Sequence, residues 1–87
     1  MAMIVFSKHA KDKFLIFKKH EFLVAEEDVI KAIESHDSIE YGKKGRKICQ
    51  KVLDKEHLLR VIYEEFCDKI VVVTFYPARR RRYESKI

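Results

Sequence analysis

Four consecutive arginines, Arg79 to Arg82, followed at once by Tyr83, are the residues of this chain best suited to chemistry. A guanidinium fork binds phosphate bidentately and keeps its charge at any cellular pH. A tyrosine near a phosphate can stack on a base or pass a proton, although its ordinary pKa is about 10. Side chains alternate along an extended backbone, so Arg79 and Arg81 would share one side and Arg80 and Arg82 the other. At least one of the four is expected to contact a nucleic-acid phosphate. The competing explanation is a solvated tail that keeps the protein soluble.

His9 is the other candidate, since imidazole is the natural acid or base near neutral pH. It falls in the first turn of an expected helix, where the helix dipole disfavours imidazolium. Lys13 stands one turn further on the same face and could assist phosphate binding. His20, His36 and His57 look less organised. Lys43, Lys44, Arg46, Lys47 and Lys51 form a second basic cluster at the Gly42–Gly45 turn and the segment after it. Together with the arginines they could line a groove that tracks a phosphate backbone.

The chain carries no glycine-rich phosphate loop, zinc motif, serine-nucleophile elbow or paired-carboxylate signature. Cys49 and Cys67 make no C-x-x-C pair and read as small buried hydrophobes in a reducing cytosol. Neither a metal nor a cofactor is expected. The available residue types suit metal-free RNA cleavage. That reaction needs a base for the 2′-hydroxyl, an acid for the leaving 5′-oxygen and cations for the phosphorane charge.

The charge is unevenly placed. Residues 1–42 hold six lysines against eight Asp/Glu, a net −2, whereas residues 43–87 hold thirteen Lys/Arg against six, a net +7. Such asymmetry points to a polyanionic partner, with nucleic acid ahead of a membrane surface or an acidic protein. No apolar run approaches the ~20 residues that span a bilayer, and the start has no export-signal pattern. The expected location is the cytoplasm.

The elements that must position these groups follow from periodicity. Eighty-seven residues make one domain, 1–87, with a thin core. Met3 to Phe6 suit a short strand, and Ser7 an N-cap for a helix that buries Ala10, Phe14 and Phe17. A second helix, about Ala25 to His36, opens on Glu26-Glu27-Asp28, which complements its positive N-terminus. Three strand-like segments follow, at Arg46–Leu53, Leu58–Phe66 and Ile70–Tyr76. Their short connections make them antiparallel neighbours. Pro77, lacking an N–H, is expected to end the last one. The expected fold is α+β, two N-terminal helices on a three- to four-stranded antiparallel sheet.

With these features in view, the chain resembles the RelE/ParE/BrnT-type toxin superfamily, and more narrowly a widespread prokaryotic domain family of unknown function. The matching residues are His9-Ala10, Glu26-Glu27-Asp28-Val29, Leu59-Arg60-Val61-Ile62, and Ile70 to Thr74 running into Tyr76-Pro77 and the arginines. The resemblance implies a RelE-like fold and a toxin held inactive by a cognate antitoxin. RelE-like members cut messenger RNA, often on the ribosome, with basic residues and a C-terminal tyrosine. By that analogy Arg79 or Arg81 stabilises the phosphate, Tyr83 acts near it, and His9 is a weaker carry-over from BrnT-like members. The chain departs from the narrower family at Lys13, a position often arginine, where lysine loses the bidentate fork. A non-catalytic RNA- or DNA-binding module and a ParE-like protein inhibitor are the alternatives.

Overall fold

Strand β5 (Lys69–Arg79) is the longest strand and the one on which the sheet is built. The computed structural model describes residues 3–19 and 24–80. Before β5 come β1 (Met3–Phe6), α1 (Lys8–Lys19), α2 (Glu26–Glu34), β2 (Ser38–Tyr41), a 3₁₀ turn (Lys43–Gly45), β3 (Lys47–Val52) and β4 (His57–Glu65). The sheet order is β1-β5-β4-β3-β2. Neighbours from β2 to β5 are antiparallel, but β1 lies parallel to β5, pairing Met3 with Lys69 and Phe6 with Val72.

The sheet is therefore five-stranded and mixed, not the three- to four-stranded antiparallel sheet expected. Two misreadings account for this. Ser38–Tyr41 is too short and polar to show a strand pattern, yet it pairs with Lys47–Gln50 across the Gly42–Gly45 turn. A parallel partner cannot be reached by a hairpin, and here the crossover from β1 to β5 takes in nearly the whole chain.

Pro77 does not end β5, which continues to Arg79. Beyond Val72 the strand has no β1 beside it, so its outer edge is open. Lys13 Nζ donates to the Phe75 carbonyl on that edge at 2.8 Å. Pro77 lies two residues on and turns its missing N–H to the same side, where no ladder bond is lost.

A β-bulge decides which residues of β5 enter the core. Ile62 pairs with Thr74 but Tyr63 pairs with Val72, which leaves Val73 as the extra residue. The bulge reverses the alternation, so Ile70, Val72 and Phe75 all face the helices and are buried. Ala10, Val24, Val29, Ala32, Ile33, Cys49, Leu59, Val61 and Tyr63 join that core, with Phe6 and Phe14 against its margin. Phe14 packs on Phe75, ring centroids 4.5 Å apart, and edge-on to Phe6.

Ser7 joins strand to helix as expected. Its Oγ accepts the Ala10 N–H at 3.1 Å and donates to the Val73 carbonyl at 2.8 Å, so one hydroxyl caps α1 and satisfies the bulge. In α2 the acidic opening does more than offset the dipole, because Asp28 reaches back to accept the Ala25 N–H. Among the described residues no helix is long and apolar enough to cross a membrane.

Candidate functional site at the end of β5

The hairpin between β4 and β3 and the far end of β5 meet at one end of the sheet. Register sets His57 directly opposite Arg79, and Lys51 opposite Leu59, which in turn faces Pro77. Because the bulge has shifted the alternation, Arg79 shares the helix-side face with His57. Directly opposed residues of an antiparallel pair hold their Cβ atoms about 5 Å apart, close enough to act on one ligand. Arg79 is exposed, while His57 and Lys51 are half-buried.

The loop before β4 is a built structure. Asp54 Oδ1 accepts the backbone N–H groups of Glu56 at 2.8 Å and His57 at 2.7 Å. The same carboxylate meets His57 Nδ1, at 3.1 Å from Oδ1 and 3.3 Å from Oδ2. The Glu56 N–H, aided by the His57 contacts, holds the Asp54 carboxyl below the usual carboxylate range. Arg80 closes the loop from the other side. Its N–H donates to the Glu56 carbonyl at 2.9 Å, and its guanidinium to the Asp54 carbonyl at 3.1 Å. Among the described residues Lys51, Lys55, Arg79 and Arg80 outnumber Asp37, Asp54 and Glu56 at this end, so the end of the sheet is cationic.

Several expected site residues lie elsewhere. His9 is exposed in the first turn of α1, two residues after Ser7, which is bonded to Val72 and Val73. Arg79 is six residues beyond Val73 along β5, about 20 Å at roughly 3.3 Å per residue. His9 and Arg79 are not brought together. Lys13 is committed to the Phe75 carbonyl and stands 5.5 Å from the centre of the Tyr76 ring, and burial lowers its pKa. It holds an open strand edge.

The second basic cluster is divided. Lys43 and Lys44 are exposed on the 3₁₀ turn, where Lys44 adopts φ 60°. Arg46 is paired with Glu64 at 3.1 Å and Lys47 with Glu65 at 2.8 Å. All four sit at the β4–β5 turn end of the sheet, because Lys47 pairs with Tyr63 and Tyr63 with Val72. Of this cluster only Lys51 reaches the Arg79 end, and the rest stands at the opposite end of the sheet. Arg81, Arg82 and Tyr83 lie outside the described residues.

Two arrangements escaped sequence reasoning. One is the Asp54–His57 pair, whose signal was an aspartate three residues before a histidine in a hairpin loop. The other lies on the sheet face away from the helices, where Ser38, Gln50, Arg60 and Tyr76 form a row across four strands. Arg60 is only 6% exposed. It donates from Nε to the Tyr76 hydroxyl at 2.8 Å and from Nη2 to Glu40 at 3.3 Å. A buried guanidinium needs such bonds to offset its lost hydration. The arginine inside the Leu59–Ile62 strand was its signal. Among the described residues no three His, Cys, Asp or Glu side chains gather as a metal site. No protein-family model, curated protein or solved structure matches the chain.

Proposed function

We propose that this protein is a cytoplasmic, metal-independent endoribonuclease of a prokaryotic toxin–antitoxin pair, acting on RNA at the end of β5. One observation carries the reading: β5 runs through Pro77 and delivers Arg79, with Arg80 next to it, to a cationic sheet end that also receives Lys51. Arginine forks there suit the non-bridging oxygens of a phosphate and the charge that develops on them during cleavage. The +7 balance of residues 43–87 supports a polyanionic substrate, and the toxin resemblance of the sequence supports RNA. An acidic or amphipathic antitoxin segment laid over this end would block it.

A second reading, a non-catalytic RNA-binding module, draws on the separation of His9 from Arg79, which denies the phosphate site its expected base. Induction in a bacterial host, with RNA ends mapped beside an Arg79→Ala variant, separates the two. New RNA ends that disappear with Arg79→Ala are the expected outcome. Growth arrest without new ends points instead to inhibition of a protein target, and salt-dependent RNA binding without arrest points to the module.

A further inference from the structure

We infer that the two described arginines of the run have different tasks: Arg79 is the one offered to phosphate, and Arg80 is a positioning residue that clamps the tip of β5 to the loop before β4. This division of tasks rests on the reading above, in which RNA binds at the end of β5.

The way β5 ends calls for a clamp. Its parallel neighbour β1 stops opposite Val72, and Lys13 secures the open edge only as far as the Phe75 carbonyl. From Tyr76 to Arg79 the one strand beside it, among the described residues, is β4. Pro77 brings no N–H to the open side. A strand end paired on one side opens more readily than the middle of a sheet. Arg80 ties that end to the loop twice. Its N–H donates to the Glu56 carbonyl at 2.9 Å, which carries the β4 ladder one residue past the His57–Arg79 pair. Its Nη1 donates to the Asp54 carbonyl at 3.1 Å, two residues further back.

The loop that Arg80 grips is itself tied together. The Leu53 and Asp54 N–H groups both donate to the His57 carbonyl, at 3.0 and 3.2 Å. From the other direction Asp54 Oδ1 accepts the Glu56 and His57 N–H groups, at 2.8 and 2.7 Å. Arg80 is half-buried while Arg79 is exposed, which fits one guanidinium laid on main chain and one offered to a ligand. Arg80 keeps its charge and so adds to the cationic potential of this end, but its hydrogen bonds go to the protein. Arg79 gains from the arrangement. With its neighbour fixed, it has less freedom to lose when a phosphate binds.

The test is the affinity of the full chain, across a salt series, for a single-stranded 2′-O-methyl oligoribonucleotide, which offers phosphates but no 2′-hydroxyl to cleave. Arg80→Met should lower affinity about threefold to tenfold at any one salt concentration. It should leave the slope of log affinity against log salt within about 0.3 of wild type, whereas Arg79→Ala lowers that slope by about one. Hydrogen exchange on the RNA-free protein supplies the second readout. Arg80→Met should speed exchange of the amides at positions 56, 57 and 80, while Leu59 and Val61 in the middle of β4 stay as protected as in wild type, which a misfolded variant cannot show. A slope lowered by about one in Arg80→Met marks a phosphate contact and overturns the division of tasks. An affinity or an exchange pattern unchanged from wild type also overturns it, and in each case RNA binding through Arg79 stands. A wild-type protein that does not bind the oligonucleotide, or an unaltered slope in Arg79→Ala, overturns this end of β5 as an RNA site, and the division with it.

Discussion

Cys49 and Cys67 show how far residue type underdetermines environment. Both were expected to be buried, but Cys49 is enclosed beneath α2 while Cys67 is exposed in the β4–β5 turn. Cys67 follows the last paired residue of β4 by two positions, and a turn cannot bury what a strand could. Burial pushes the Cys49 thiol up from the ordinary 9.0 to about 11. Because the thiolate is the reactive form, iodoacetamide at mildly alkaline pH should label Cys67 alone until denaturant is added, as read by mass spectrometry. The linkage has a definite sign. Between 9.0 and about 11 the unfolded thiol has lost its proton while the folded one keeps it, so stability falls as pH rises through that window. Urea titrations should show this slope flattened in Cys49→Ala, even though its stability is lower throughout.

At the scale of elements, the joint between β1 and α1 does more than its length suggests. A single hydroxyl on Ser7 caps the helix, meets the spare carbonyl of the β5 bulge, and so locks a parallel edge strand to the central one. Ser7→Ala should cost about 1–2 kcal/mol, measured as a shift in the urea midpoint. Ser35→Ala, which loses one exposed bond to the Lys31 carbonyl at the end of α2, should stay within about 0.5 kcal/mol and serves as the control. Sequence periodicity was enough to locate both helices, the Ser7 cap and the cores of β3, β4 and β5. The Val73 bulge left no trace in it, because a valine inside an apolar run looks the same bulged or paired.

For the whole molecule, what matters is that its two basic regions occupy opposite ends of one sheet. Lys43 and Lys44, with the ion-paired Arg46 and Lys47, sit at the β4–β5 turn end, whereas Arg79, Arg80 and Lys51 sit at the other. Six residues of strand separate the levels of Lys47 and Arg79, about 20 Å and more than two Debye lengths at physiological salt. Binding to single-stranded RNA should therefore weaken with added salt, and Arg79→Ala should reduce the slope of log affinity against log salt by about one. Lys43→Ala with Lys44→Ala should leave that slope within error. An equal loss from both ends would mean that RNA spans the sheet.

What the sequence determined by itself was local. Apolar spacing, a serine before a helix and an acidic helix opening are read within a few residues, and all three appear where the pattern put them. Charge asymmetry and the arginine run are equally local and named one end of β5 as the place to look. Only the tertiary structure decided which residues share that end. The bulge at Val73 turned Arg79 to the helix side, antiparallel register set it opposite His57, and the same register carried Lys43 to Lys47 away. A residue pattern records which way a side chain points from its own strand. Its neighbours come from pairing between segments far apart in the chain, and one extra residue in a strand is enough to change them.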